Sequence, residues 1–190
     1  MRLRTWSTAL APALTALLAG CGGGQARSAA PPPNAVQAAF NGSPPPLVAL
    51  HAEANRLLSG GPAAFRARLA ALEGYPVVVN KWASWCGPCQ TEFPAFQQAA
   101  VKYGRRVAFI GIDGNDGDGA AAAFLRRFPV SYPSYTDPHS SIAQAYRATT
   151  YFPQTLFFDR RGHAHYVFDH AGPYESAQAL EKDIRFYVLR

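Results

Sequence analysis

Three valines mark the centre of the chain's most apolar stretch. Val77, Val78 and Val79 present β-branched side chains to both faces, the pattern of a strand covered on both sides. A second such run, 106–113, carries Val107, Ala108, Phe109, Ile110 and Ile112. Between them, 86–101 reads as a helix with a kink expected at Pro94. The order strand, helix, strand predicts two parallel neighbours joined by a right-handed crossover. A further strand is expected at 155–159. Arg160-Arg161-Gly162 then reads as a hairpin turn, and 163–170 alternates as an antiparallel strand. His163 and His165 fall on one face of it, and His170 ends it; spacing of two on an exposed strand is the mark of a solvated face rather than a metal site.

Helical spacing accounts for most of the rest. Leu47, Leu50, Ala54, Leu57 and Leu58 form a stripe that predicts a helix over 47–58, broken by Ser59-Gly60-Gly61. Pro62 opens a second helix, with Phe65, Leu69 and Leu72 on one face and Gly74 at its end. Helices follow at 120–128 and 140–148, around a short extended piece at 132–135. After a turn at Ala171-Gly172-Pro173, an amphipathic helix over 174–189 closes the chain. Such alternation predicts one α/β domain over 47–190.

The preceding residues differ in kind. Arg2 and Arg4 precede an Ala/Leu-rich run from Thr5 to Leu18, too short for a comfortable membrane span; 1–20 reads as a signal peptide. The segment 21–46 holds Gly22-Gly23-Gly24, Pro31-Pro32-Pro33 and Pro44-Pro45-Pro46, and is expected to be a flexible, semi-extended tether. A peptide-binding role for its Pro triplets is the weaker alternative. With 48% hydrophobic and 16% charged residues, the bulk is globular. Removing Arg2 and Arg4 takes the formal charge from +6 to +4 without leaving a basic run, so nothing points to nucleic acid. Three cysteines fit one reactive pair and one separate thiol rather than a disulfide scaffold.

The pair is Cys86-Gly87-Pro88-Cys89, placed where the first strand gives way to the helix. Proline is tolerated in a first helical turn. Free amide N–H groups and the positive end of the helix dipole favour an anion at Cys86, and the thiolate is the nucleophilic form of cysteine. Such a thiolate can attack a disulfide, and Cys89, one turn on and less exposed, can resolve the mixed disulfide. Half of a zinc site is the competing reading, but it needs two further ligands at short spacing. The remaining cysteine is Cys21, and no histidine pair stands near the motif. Asp113-Gly114-Asn115-Asp116-Gly117-Asp118-Gly119 invites a calcium reading. It lacks the closing Glu of an EF-hand loop, so a flexible loop capping the next helix is expected instead.

The stretch Trp82-Ala83-Ser84-Trp85-Cys86-Gly87-Pro88-Cys89 resembles the thioredoxin superfamily. The continuation Gln90-Thr91-Glu92-Phe93-Pro94 resembles its TlpA/ResA-type extracytoplasmic thiol-disulfide oxidoreductases, and the likeness covers about 62–190. It implies a thioredoxin-like three-layer α/β sandwich with a mixed central sheet, and 124–146 resembles the family's inserted helix-strand element. It implies a redox disulfide Cys86–Cys89, with Cys86 the nucleophile and Cys89 the resolving thiol. Tyr151-Phe152-Pro153-Gln154-Thr155 resembles the family's cis-proline loop, so Trp85, Phe152 and Pro153 are expected to bind substrate, the backbone at Phe152 pairing with it like an added strand. Leu18-Ala19-Gly20-Cys21 resembles the bacterial lipobox, implying lipidation of Cys21 and anchorage at the extracytoplasmic face of the cell membrane; an uncleaved anchor, or ordinary cleavage with a stray thiol, are the alternatives.

Two positions depart from the resemblance. Asn80 stands where thioredoxin has a buried aspartate, and an amide cannot take the proton that the resolving thiol must lose. Glu92, about one turn beyond Cys89, could take it and matches a glutamate of ResA-type proteins; otherwise it is a solvated helix residue. Lys81 stands where relatives usually have an aromatic residue. Its stem can be buried with the amine at the surface, or the amine can act on the thiolates.

The expected function is dithiol–disulfide exchange on extracytoplasmic proteins such as apocytochrome c. A membrane thiol transporter would reset the pair, and the protein is expected to be a monomer. A cofactor is not needed, because the electrons reside in the sulfurs, and no metal is expected. Two other readings stay open: an oxidant that forms disulfides, and a non-turnover lipoprotein that holds copper or haem through its thiols. Gly87-Pro88, the thioredoxin dipeptide, favours a reductant.

Overall fold

The computed structural model describes residues 31–149, 151–166 and 173–189. The expected signal peptide, Cys21, the first part of the tether and His170 lie outside the described residues.

The proline triplets begin helices. Pro33–Phe40 (α1) and Pro45–His51 (α2) each follow a proline, Pro32 or Pro44, whose ψ is 152°. Proline suits a first helical turn because its fixed φ is helical and its missing N–H is unpaired there in any case. The expectation of an extended tether through residue 46 is therefore corrected for this part. Phe40 stacks on His51 with ring centroids 3.7 Å apart, which joins the two helices.

The helix expected over 47–58 is also corrected. Asn55 takes a left-handed φ of 61°, and its side chain is drawn off to Val130 N–H (3.0 Å) and the Leu125 carbonyl (3.3 Å). Leu57–Leu58 (β1) then pairs as an edge strand. Next come Gly61–Ala71 (α3), Val77–Trp82 (β2), Gly87–Tyr103 (α4) and Ala108–Gly114 (β3). Pro94 sits inside α4 without ending it. Asp118–Arg127 (α5), Ser134–Asp137 (β4), Ser141–Ala145 (α6) and Gln154–Phe158 (β5) follow. The helix expected over 140–148 is shorter than its pattern, because Arg147 adopts a left-handed φ of 54°. Ala164–Tyr166 (β6) and Ala177–Tyr187 (α7) complete the order.

The sheet runs β1-β4-β3-β2-β5-β6. β2 is parallel to β3 and antiparallel to β5, so it lies where the sheet changes sense. Its alternating side chains feed two cores. Val78 and Trp82 join Phe93, Phe96, Phe109, Phe124, Leu180 and Ile184 under α4, α5 and α7. Val77 and Val79 join Phe65, Ile110, Ile112, Tyr135 and Ile142 under α3 and α6. The stretch 124–146 supplies the end of α5, β4 and α6, and β4 bridges β3 to the edge strand.

Trp82 pins this arrangement. It is fully buried, with the rings of Phe93 and Phe124 at 5.3 and 4.8 Å. Each such ring pair contributes about 0.5–1.5 kcal/mol beyond area burial. Its indole N–H donates to Ser134 Oγ at 3.1 Å. That contact needs Gly111, where a Cβ would lie 2.0 Å from Ser134 Oγ and 2.9 Å from the indole nitrogen.

Candidate active site

Cys86 is the N-cap of α4. Its backbone is extended, and its sulfur accepts the Cys89 N–H at 3.1 Å. Helix geometry thus directs a main-chain donor at the sulfur expected to carry negative charge. The two sulfurs form a disulfide. Both are buried: Cys86 is 4% exposed and Cys89 0%, so the expected contrast in access is narrow in this form.

The surface beside the pair is built by two loops. Trp85 is 59% exposed. Its ring meets Phe152 edge-to-face at 5.1 Å, and its N–H donates to the Asn115 carbonyl at 3.0 Å. The Phe152–Pro153 peptide bond is cis, as the resemblance implied. Phe152 also packs against the apolar cluster that holds both cysteines. The Asp/Gly loop ends β3 and does not cap α5 with a side chain. Asp116 instead accepts the Ser84 N–H at 2.5 Å, fastening the turn before Cys86. No group of three or more His, Cys, Asp or Glu among the described residues is placed to hold a metal.

About one turn beyond Cys89 on α4 begins a buried polar group. Glu92 is 0% exposed, so it is no solvated helix residue. Burial pushes its carboxyl up to about 8, against a smaller lowering by the Tyr174 N–H and by Asn80. Tyr174 N–H donates to Glu92 Oε2 at 3.2 Å. Glu92 Oε1, both polar atoms of the Asn80 amide and the Tyr132 hydroxyl make no hydrogen bond of ordinary geometry among the described residues, although Asn80 stands close enough to both Glu92 and Tyr132 to act on them as a hydrogen-bonding neighbour. The charge of Glu92 acts with burial to push the Tyr132 hydroxyl far up. At the end of β3, Asp113 is pushed up to about 8, by burial first and then by Asp116, Asp118 and Asp137.

Lys81 enters from the other face of β2. It is 1% exposed, so its amine does not reach the surface. Nζ donates to the Ala148 carbonyl at 2.5 Å and lies 4.0 Å from the centre of the Phe152 ring. Burial lowers its pKa to about 8, partly offset by Asp137.

Cys86, Cys89, Trp85, Phe152, Pro153 and Glu92 thus come from the segments that the sequence singled out, whereas Cys21 lies outside the described residues. His163 and His165 both turn to Asp159 Oδ2, at 3.3 and 3.6 Å. Asn115, Asp116 and Tyr132 were not foreseen. The usable signal for the first two was position: the carboxyl ends of parallel strands are where open α/β sheets build sites. Tyr132 is brought in by tertiary packing and carried no local signal.

Comparison with known proteins gives a consistent picture. The AhpC/TSA family model matches residues 63–167. The chain is 29% identical over 92 residues to the thiol-disulfide oxidoreductase ResA of Oceanobacillus iheyensis, covering 45% of this chain and 47% of that protein. It is 33% identical over 97 residues to a thiol:disulfide interchange protein DsbE homolog of Paracoccus denitrificans, covering 50% of each. The chain therefore spans about half the length of these curated relatives. Among solved structures, it resembles a secreted Mycobacterium tuberculosis disulfide oxidoreductase homologous to E. coli DsbE. That match has 25% identity and a TM-score of 0.56, covering 62% of this chain and 85% of that one. It also resembles M. tuberculosis DsbF in its mixed oxidized and reduced forms, with 29% identity, a TM-score of 0.55, and coverage of 62% and 84%. These likenesses and the mixed sheet fit the expected thioredoxin-like fold.

Proposed function

The chain belongs to the AhpC/TSA family, and from that premise we propose that it is a thiol-disulfide oxidoreductase acting on protein disulfides through Cys86-Gly87-Pro88-Cys89. The observation that carries this reading is Cys86 as N-cap of α4, its sulfur facing the Cys89 N–H and bonded to Cys89.

In the reductive direction, the Cys86 thiolate attacks one sulfur of a substrate disulfide. A Cys86–substrate S–S bond forms, the substrate S–S bond breaks, and its second sulfur leaves as thiolate to take a proton from water. The Cys89 thiol then loses its proton, and its thiolate attacks Cys86. The Cys86–Cys89 bond forms, and the first substrate sulfur leaves as thiolate. Two electrons pass from the pair to the substrate. Glu92 is the acceptor of the Cys89 proton. A carboxyl near 8 is close to an ordinary thiol at about 8.5, so the transfer is nearly balanced and can run either way. Trp85, Phe152 and Pro153 form the surface on which the substrate chain lies.

The broader reading follows the N-terminal pattern and the family likeness: a protein anchored by lipid at Cys21 outside the cytoplasm, reducing substrates such as apocytochrome c and reset by a membrane thiol transporter. No helix among the described residues is long and apolar enough to cross a membrane. Cys21→Ser should leave the protein unprocessed or soluble, and native protein found in the soluble fraction with an N-terminus other than Cys21 would refute the anchor.

The central test is trapping. Cys89→Ser removes the second step alone, so covalent adducts with protein substrates should accumulate on non-reducing gels and vanish with dithiothreitol. Cys86→Ser should give none. Equal trapping by both variants, or by neither, overturns the roles assigned.

A further inference from the structure

Resting on the thiol-exchange reading above, we infer that Lys81 is a positioning residue for protein substrates: its buried ammonium holds the Phe152 ring, and so the backbone edge before Pro153, in place beside Trp85. Lys81 is among the largest fully buried side chains of the molecule. An ammonium withdrawn from water is costly unless its donors and charge are met. No carboxylate among the described residues lies within 4.0 Å of it; Asp137 acts only at longer range. What meets it is the Ala148 carbonyl at 2.5 Å and the Phe152 ring at 4.0 Å.

A methionine would fill the same space without that cost, so bulk alone does not account for a lysine here. The contacts supply direction. Lys81 pairs in register with Gln154, two residues beyond Phe152, so its side chain reaches back along the loop that carries the ring. Trp85, edge-on at 5.1 Å, and Gly114, where a Cβ would meet Phe152 Cζ at 3.0 Å, also line that slot. The ring is therefore held by a charge, an indole and an absent side chain. Ala148 ends the segment after α6, so one ammonium ties that segment to the cis-proline loop. A protein substrate that pairs with the backbone at Phe152 needs this edge in one position. A small disulfide that only meets the sulfurs does not.

The test compares Lys81→Met with Lys81→Arg in the full chain. Rate constants are measured for reduction of insulin disulfides and of glutathione disulfide. A desolvated cation–π contact of about 1.4 kcal/mol corresponds to a factor of ten. Lys81→Met should therefore lower the insulin-to-glutathione rate ratio about ten-fold, mainly through KM, and Lys81→Arg should restore it to within about three-fold. A fall of both rates together without rescue by Arg means a merely structural lysine and overturns the inference. An unchanged ratio overturns it as well. If Lys81→Met is not folded at the assay temperature, Lys81→Gln decides, since it keeps a polar N–H donor on a side chain of similar bulk but carries no charge. A wild-type protein inactive on both disulfides would instead sink the thiol-exchange reading, and this inference with it.

Discussion

Asn80 and Lys81 are neighbours on β2, yet they leave the strand on opposite faces of the sheet and meet opposite surroundings. Asn80 points with Val78 and Trp82 toward α4, where its amide, the Tyr132 hydroxyl and Glu92 Oε1 are buried without a hydrogen bond of ordinary geometry among the described residues. Lys81 points with Val77 and Val79 toward α6, where its ammonium has a carbonyl and an aromatic face. Unsatisfied buried polar atoms cost stability, and they persist where a group must change its protonation or its partner. A buried charge with its contacts met serves geometry instead. One strand thus sends the proposed proton chemistry out from one face and, from the other, the ammonium that holds the Phe152 ring. Backbone alternation keeps the two side chains apart although they are adjacent in sequence.

The largest expected effect breaks the proton side alone. Glu92→Gln keeps the shape of the carboxyl and cannot accept a proton. Release of the mixed disulfide should slow by about 100-fold, at the lower end of general acid–base contributions, while its formation stays within about two-fold. In the wild type the release rate should climb as pH passes about 8, where Glu92 ionises and becomes a base. That climb should be missing in Glu92→Gln. Stopped-flow traces of both steps across pH decide this; equal slowing of formation and release would remove Glu92 from the relay.

How far these two faces could be read from sequence follows from how local each signal was. Val77–Val79, the Cys86–Cys89 spacing and Pro153 are short-range patterns, and the strand, the helix start and the cis bond stand where they pointed. Pro33–Phe40 and Leu57–Leu58 were misread because their signals have two meanings. Proline triplets can extend a linker or open a helix, and two leucines suit a helical stripe or a two-residue edge strand. Glu92 could be named, yet its burial could not, because that comes from Tyr174 and Asn80, far away in the chain. The fate of the Lys81 amine depended on Ala148 and Phe152, which only the fold brings near.

The second effect sharpens the comparison through stability. Glu92 is raised from 4.5 to about 8 on folding, so the folded state binds the extra proton between those values. Its contribution is present below about 4.5 and is lost as pH rises toward 8. Asp113, raised from 3.8 to about 8, acts in the same sense. Lys81 is lowered from 10.5 to about 8, so the unfolded chain binds the extra proton there. Its contribution is present above 10.5 and is lost as pH falls toward 8. Denaturant unfolding should therefore show a minimum of stability near pH 8, with slopes of opposite sign on its two sides. Glu92→Gln should make the acid limb shallower, leaving the share of Asp113, and Lys81→Met should flatten the alkaline limb, each leaving the other limb. A stability curve flat from pH 5 to 10 would mean that neither group is buried in solution as described.

The smallest expected effect tests whether the Asn80 side is truly unsatisfied. Tyr132 is 1% exposed, and its hydroxyl makes no hydrogen bond of ordinary geometry among the described residues, although Asn80 and Glu92 lie close enough to act on it. Losing one partner of a made buried hydrogen bond costs about 1–3 kcal/mol, because the other is left bare. Removing a hydroxyl that bonds nothing costs no such amount and spares its desolvation. The ring remains in Tyr132→Phe, so its tilted contact with Phe109 at 6.0 Å is kept. Unfolding free energy should therefore stay within about 1 kcal/mol of wild type, on the stabilising side. The release step should still turn upward near pH 8, since burial is the main cause that raises Glu92. A loss of about 2 kcal/mol or more would mean that the hydroxyl is bonded in solution. The contrast between the two faces of β2 would then narrow to the difference between an acid and an amine.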